Sequence, residues 1–140
     1  MANDANAQKA QNFMNNGRLA LESKRYDRAV EMLTRSLECA PDALETRRLL
    51  RTAQIARFRL NPPSALSLKM QSMGMYFARQ KVLGLVKKGL GAEAMAEAEK
   101  LLSQNPLDGD NIEAAVKAAE AAGKADHAAI STQTPHNPAP

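Results

Sequence analysis

The chain has 140 residues and a net charge of +4, a length that suits one domain or a few small repeats. Hydrophobic residues make up 44% of the sequence, with no Trp, two Tyr and three Phe, and the common residues are good helix formers. Because the β-branched residues that sheets prefer are sparse, the composition argues against a sheet and predicts an all-α fold.

The sequence also bears on the cellular compartment. Cys39 is the single cysteine, so no intramolecular disulfide can form, which fits a reducing compartment. The segment 1–17 is polar and lacks the apolar core of a cleaved signal peptide. The sequence has no run of about 18 apolar residues, so we predict no transmembrane helix. We therefore predict a cytoplasmic protein.

Charge is distributed unevenly along the chain. No acidic residue lies between Glu45 and Glu93, and the ten basic residues there give this interval a charge of +10, against −6 for the rest. A block of one sign predicts attraction to a partner of the opposite sign and says nothing about the fold.

The first helices are predicted in the N-terminal third of the chain. Residues 1–9 are small and polar, and we predict a flexible N-terminus there. Apolar residues at helical spacing predict a helix over 10–23 and, after the turn "SKRY", a second one over 27–39. Pro41 ends the second helix.

Two longer helices are predicted in the middle of the chain. The third covers 42–60, where Asp42 can act as the N-cap and Glu45 can reach back in a capping box. The prolines of "NPPS" end it, and a fourth helix is predicted over 65–88. Gly74 is a candidate break that would divide this fourth helix into two.

The fourth helix belongs to a methionine-rich segment, residues 64–90. It contains three methionines and two adjacent aromatic residues: Met70, Met73, Met75, Tyr76 and Phe77. Flexible Met side chains suit an adaptable binding surface, and a basic amphipathic helix can lie on a membrane. We favour a core role, because consecutive stacked helices share apolar residues with their neighbours, and the exposed surface stays open as the alternative.

The last predicted elements follow the turn signal "KKGLGAE". One helix covers about 92–104, and the next begins at a cap formed by Asp110 or Asn111 and ends at Gly123. A short helical piece follows it. The segment 131–140 has three prolines and no core residues, so we predict a disordered tail.

The segment 12–42 has a distinctive order of small and large side chains. The positions that carry it are Phe13, Gly17, Ala20, Tyr26, Asp27, Ala29, Leu33, Ser36 and Pro41. This order resembles a tetratricopeptide repeat, a helical hairpin of about 34 residues, and departs from it at Asn16, where Leu is usual. Ala20 likewise stands where Tyr is usual. Two antiparallel helices approach closely only where a side chain is small, as at Gly17 and Ala29.

The C-terminal half resembles the same family less closely. When Pro106 is aligned with Pro41, Ala94 takes the place of Ala29 in a second helix B. A following helix A and the start of another helix B place Ala128 in the small position.

The middle of the chain departs from the repeat pattern. Pro62 and Pro63 fall where a helix B should run, so 61–91 is predicted to be irregular. The resemblance implies about three degenerate antiparallel hairpins and a terminal helix, stacked as a short solenoid over 10–130. The alternative is one piece of a longer repeat array.

The resemblance also implies a groove lined by the first helix of each hairpin. By position its lining residues are Met14, Arg18, Leu21, Arg48, Thr52 and Ile55. Family members that clamp the C-terminal carboxylate of chaperones use Lys and Asn where this chain has Met14 and Arg18, so that ligand is not supported. The fold alone does not imply function, and a groove that binds nothing specific is the alternative.

The acid-free block is the second candidate surface. The basic patch that it predicts consists of Arg47, Arg51, Arg57, Arg59, Arg79, Lys81, Lys87 and Lys88. Such a patch could contact acidic proteins, nucleic acid or anionic lipid, or be a solvated basic face. Few aromatic residues are interleaved with the basic ones for base stacking, so nucleic acid is the weaker prediction.

The sequence contains no recognisable catalytic or metal-binding pattern. His127 and His136 lack an accompanying Cys or carboxylate cluster. Cys39 has no base visible in the sequence and is predicted to be a buried structural thiol. The segment "GLGAE" lacks the Lys-Ser/Thr of a phosphate-binding loop. We therefore predict no enzymatic activity, no metal and no cofactor.

Together these features predict a non-enzymatic adaptor or scaffold that binds a protein or peptide, with acidic segments favoured. Self-association through exposed end repeats is compatible with this prediction. The alternative is a basic surface over 47–88 that binds nucleic acid or an anionic membrane.

Overall fold

The computed structural model describes residues 2–124 and Ile130, with side chains from Asp4 onward. Six α-helices make up this part of the chain: α1 (Ala2–Glu22), α2 (Tyr26–Cys39), α3 (Leu44–Leu60), α4 (Ala65–Lys87), α5 (Gly91–Gln104) and α6 (Gly109–Ala121). The predicted all-α fold is confirmed. The predicted tail, both histidines, and the final helical piece with Ala128, apart from Ile130, lie outside the described residues.

The chain divides into two compact units, residues 1–57 and 58–140, and the division falls near the end of α3. In the first unit α1 and α2 form an antiparallel hairpin. A Cβ atom on Gly17 would lie 2.6 Å from Cγ of Leu33, so only glycine leaves room for that side chain. Ala29 is fully buried. The predicted close approach at these small residues is confirmed.

Two further interactions complete the first unit. The hydroxyl of Ser36 on α2 donates a 2.7 Å hydrogen bond to the carbonyl oxygen of Ala10 on α1. The side chains of Leu50 and Ala53 on α3 are buried in the same apolar cluster as Ala29. The core of this unit is therefore contributed by all three helices.

The second unit is a three-helix arrangement of α4, α5 and α6, each of which packs against the other two. Its apolar core contains Val82 from α4, Leu101 from α5 and Ala118 from α6. At Gly91 a Cβ atom would lie 2.6 Å from the backbone of Ala122, so the start of α5 approaches the end of α6 more closely than any side chain would permit.

Helix boundaries differ from the prediction at two places, and the candidate break at Gly74 is absent. Residues 2–9, predicted to be a flexible N-terminus, form the first turns of α1, where Asp4 complements the helix dipole. Gly74 does not break α4, because a glycine costs a helix only about 1 kcal/mol and its neighbours are good helix formers. The N-cap of α6 is Asp108, whose carboxylate accepts a hydrogen bond from the amide of Asn111.

The two units have matching element boundaries. Helix α2 begins and ends 65 residues before α5, α1 ends 65 residues before α4, and α3 begins 65 residues before α6. The turns also match: Lys24 and Gly89 both have positive φ angles, of 62° and 77°, and both follow a helix C-terminus. Each unit is thus a helical hairpin followed by a third helix.

Candidate functional site

The six predicted groove residues divide into packed and exposed positions. Met14 and Leu21 on α1 are half-buried and pack against the apolar cluster of the first unit. Ile55 on α3 is buried. These three side chains contribute to the interior, and of them Met14 and Leu21 keep part of their surface exposed.

The other three predicted groove residues, Arg18, Arg48 and Thr52, are exposed. The guanidinium of Arg18 lies 3.3 Å from the sulfur of Met14, one turn earlier on α1. Arg48 pairs with Glu45 at 3.8 Å, and the Thr52 hydroxyl donates to the Arg48 carbonyl oxygen. What remains on these faces of α1 and α3 is one exposed arginine on each helix.

The predicted basic patch is not a single exposed surface. Arg47 and Arg51 are buried, and Arg51 is only 1% exposed. The Arg47 guanidinium donates a 2.9 Å hydrogen bond to the carbonyl oxygen of Pro41, and that of Arg51 donates to the side-chain oxygen of Gln54. Both therefore satisfy polar groups inside the first unit, because a buried guanidinium requires nearby acceptors.

Three more members of the patch form ion pairs within their own unit. Arg57 lies 3.7 Å from Asp27, Arg79 lies 3.9 Å from Asp108, and Lys81 lies 3.3 Å from Glu97. Arg59, Lys87 and Lys88 are exposed. Arg48 and the three paired members of the +10 block thus each lie beside a carboxylate, which lowers the positive field that the block presents to a partner.

Asn111 is a polar junction that sequence analysis missed. Its amide nitrogen donates to the carbonyl oxygens of Leu101 and Asn105, each at 3.3 Å, and its amide oxygen accepts from Arg79 at 2.9 Å. The residue is fully buried. No local pattern could identify it, because its partners lie on other elements; the only sequence cue, an Asn near a helix start, suggested a cap.

Glu97 on α5 contacts two lysines. Burial raises its pKa, but hydrogen bonds and attraction from Lys81 and Lys100, each 3.3 Å away, outweigh burial and hold the pKa below the ordinary 4.5. Because Lys81 belongs to α4, the ionised carboxylate links α4 to α5.

The outward face of α4 carries an apolar stripe of four residues, called the α4 stripe below. Leu66, Met70, Met73 and Phe77 are 68%, 74%, 68% and 63% exposed. Their spacings of four, three and four residues place them on one side of the helix. Met75 lies on the opposite side and is buried. The predicted core role is therefore right for Met75 and wrong for Met70 and Met73.

One further aromatic ring extends the apolar surface at the end of this stripe. Tyr76 is half-exposed, and its ring packs edge-to-face on Phe77 with centroids 5.6 Å apart. The sequence shows the spacing of the stripe. It does not show which side of α4 packs against the core, because apolar residues lie on both sides of the helix.

A shallow groove of about 560 Å³ lies on the hairpin of the first unit. Its lining residues are Phe13, Glu31, Thr34, Arg35, Glu38 and Cys39. Two of these residues, Glu31 and Arg35, lie one turn apart on α2 and form an ion pair at 3.2 Å. Cys39 is only partly buried, in contrast to the buried thiol predicted from the sequence.

Within the described residues, no group of three or more His, Cys, Asp or Glu side chains could hold a metal ion. The same part of the chain contains no helix with the length and apolar character required to cross a bilayer. No family model, curated protein or solved structure matches the chain.

Proposed function

We propose that this protein is a non-enzymatic helical-repeat adaptor, related in architecture to tetratricopeptide repeats, that binds a protein or peptide segment. The observation that carries the proposal is the repetition of a hairpin-plus-helix unit with boundaries 65 residues apart. Ala29 and Ala94, the predicted equivalent small positions, are both fully buried. In helical repeat proteins each repeat contacts only its neighbours, so the repeats stack into an elongated array. Such an array presents an extended surface to other chains.

The exposed arginines favour an acidic segment. Arg18 on α1 and Arg48 on α3 are exposed, and the resemblance to tetratricopeptide repeats makes α1 and α3 the helices that line the groove. Arginine provides a planar set of donors that matches a carboxylate, so these two positions suit Asp or Glu side chains of a bound peptide. Ile55, which is buried, and the half-buried Met14 and Leu21 pack beneath these arginines and support the surface.

The proposal is tested with a fluorescein-labelled peptide of Glu-Pro repeats, which is acidic and cannot form a helix. We expect the double charge reversal Arg18→Glu and Arg48→Glu to weaken binding by about tenfold or more at low salt. A matched control reverses the charges of Arg35 and Lys117. Both residues are exposed, and each forms an ion pair with a residue of its own helix.

The two variants carry the same net charge, so bulk charge cannot distinguish them. Equal weakening by both variants, or no binding of the peptide to the wild-type chain, would overturn the assignment of Arg18 and Arg48 to a peptide site. A peptide of Lys-Pro repeats that bound as tightly as the Glu-Pro peptide would overturn the assignment as well.

The second candidate function is binding of nucleic acid or anionic membrane by the basic residues of 47–88. Exposed Lys87 and Lys88 at the end of α4 favour it. Burial of Arg47 and Arg51 disfavours it, because buried guanidinium groups cannot contact phosphates. This function predicts that binding to single-stranded DNA falls steeply with salt concentration, whereas the adaptor predicts no such binding.

A further inference from the structure

We infer that the α4 stripe is a docking surface for an amphipathic helix with acidic flanks on a partner protein. This surface uses none of the residues assigned to the peptide site on α1 and α3. It goes beyond the proposed function, because it names a second place of contact and a helical, not extended, partner.

The geometry of the stripe fits a helix. Spacings of four, three and four residues are those of the seam along which two helices pack side by side. From Leu66 to Phe77 the seam covers three turns, about 17 Å at 1.5 Å per residue. The opposite side of α4, with Met75 and Val82, is buried in the core of the second unit, so the helix is held while the stripe faces outward.

The exposure of the stripe requires an explanation. Four large apolar side chains, each more than 60% exposed, follow one another along a single helix. Single exposed apolar residues are ordinary, but a contiguous row is typical of a binding surface, since water contact with it is unfavourable. On one side the row is flanked by small residues, Ser67 and Gly74, and a Cβ atom on Gly74 would meet nothing within 4 Å. A second helix can therefore approach closely there.

Charge identifies the partner. No acidic residue occurs on α4, whereas Lys69 beside the stripe and Lys87 at the helix end are exposed. A helix that carries Glu or Asp beside its apolar row would pair with these lysines, which gives specificity and faster association. A second copy that packed through its own α4 stripe would bring lysines and no carboxylates beside these lysines, and a lipid surface would favour a wider apolar face than this narrow row.

The test uses a fluorescein-labelled helical peptide of three heptads with Leu at a and d and Glu at e and g. Anisotropy titration should show binding that the double variant Met70→Gln and Met73→Gln weakens by about tenfold or more, since Gln keeps the helix but removes the apolar contact. Lys69→Glu should weaken binding several-fold at low salt and little at high salt.

The matched control is Leu19→Gln on α1, an apolar residue of similar exposure outside the stripe, which should leave the affinity unchanged. Circular dichroism should show the same thermal transition for all variants. A peptide with Lys at e and g should bind much more weakly than the Glu peptide. Equal binding of both peptides, or equal weakening by Leu19→Gln, would overturn the inference.

Two other occupants of the α4 stripe, a second copy of the chain and a membrane surface, would give different results. Sedimentation equilibrium could show a dimer that dissociates when Met70 and Met73 are replaced. That result, with no binding of the Glu peptide, would assign the stripe to self-association instead. Co-sedimentation with phosphatidylserine vesicles, again without peptide binding, would assign it to a membrane surface. The reversal of Arg18 and Arg48 should not affect the helical peptide, so failure of the peptide-site proposal and failure of this one are separable.

Discussion

Glycine has opposite roles at two positions inside helices of this protein. Gly17 on α1 faces α2, where the Leu33 side chain occupies the space that a Cβ atom would need. Gly74 on α4 faces open space. The two residues have the same intrinsic cost to a helix, so the difference between them is a difference of tertiary packing alone.

Replacing each glycine by leucine should therefore change stability in opposite directions. Gly17→Leu should lower the free energy of unfolding by about 1–3 kcal/mol, because overpacking against Leu33 exceeds the gain in helix propensity. Gly74→Leu should raise it by about 0.5–1 kcal/mol, because only the propensity changes. Urea denaturation followed by circular dichroism measures both. If the two variants changed stability in the same direction, the close approach of α1 and α2 at Gly17 would be wrong.

At the scale of helices, sequence patterns indicated most of the elements and little of their environment. The ends of α2 and α5 were predicted within a residue, because Pro41, Pro106 and the turn glycines act locally. The sequence left open whether α4 continues through Gly74, since the weak local preference of one glycine competes with that of its neighbours. Burial of Arg51 could not be predicted either, because it depends on which residues from elsewhere in the chain surround it.

The same limit applies to the candidate site. The position of the basic block in the chain was visible, but the carboxylates that pair with Arg57 and Lys81 lie far away in sequence, at Asp27 and Glu97. The spacing of the α4 stripe was also visible. Its exposure was not, because apolar residues on both sides of a helix do not indicate which side packs against a neighbour.

The link between α4 and α5 at Glu97 gives a pH-dependent prediction. The folded-state pKa of Glu97 is lowered, so the ionised carboxylate stabilises the fold above the unfolded pKa of about 4.5. This stabilisation is lost as the pH falls through the folded pKa. Glu97→Gln should therefore lower the free energy of unfolding by up to about 1 kcal/mol at neutral pH and by progressively less below pH 4.5.

Urea denaturation at a series of pH values measures this difference. The control is Glu113→Gln, whose partner Lys117 lies on the same helix and whose side chain is more exposed. It should change stability little at any pH. A loss for Glu97→Gln that stayed constant down to strongly acidic pH would show that the link is not electrostatic.

At the scale of the whole chain, the repetition of a hairpin-plus-helix unit predicts how stability is distributed. Each unit has its own apolar cluster, one around Ala29 and Leu33 and one around Val82 and Leu101. In repeat proteins stability is approximately a sum of unit terms and interface terms, so damage in one unit need not open the other. Backbone hydrogen exchange reports such local opening directly.

Asn111→Ala should destabilise the second unit and leave the first unit unaffected. It removes buried hydrogen bonds to the Leu101 and Asn105 carbonyl oxygens and leaves the Arg79 guanidinium without its amide partner, a loss of about 2–4 kcal/mol. Exchange measured by mass spectrometry should then accelerate in α4, α5 and α6 and remain unchanged in α1 and α2. Gly17→Leu should give the converse pattern. The exposed Asn16→Ala serves as the control and should change neither unit. Uniform acceleration across all helices after either substitution would contradict a repeat organisation, because the chain would then open as one cooperative body.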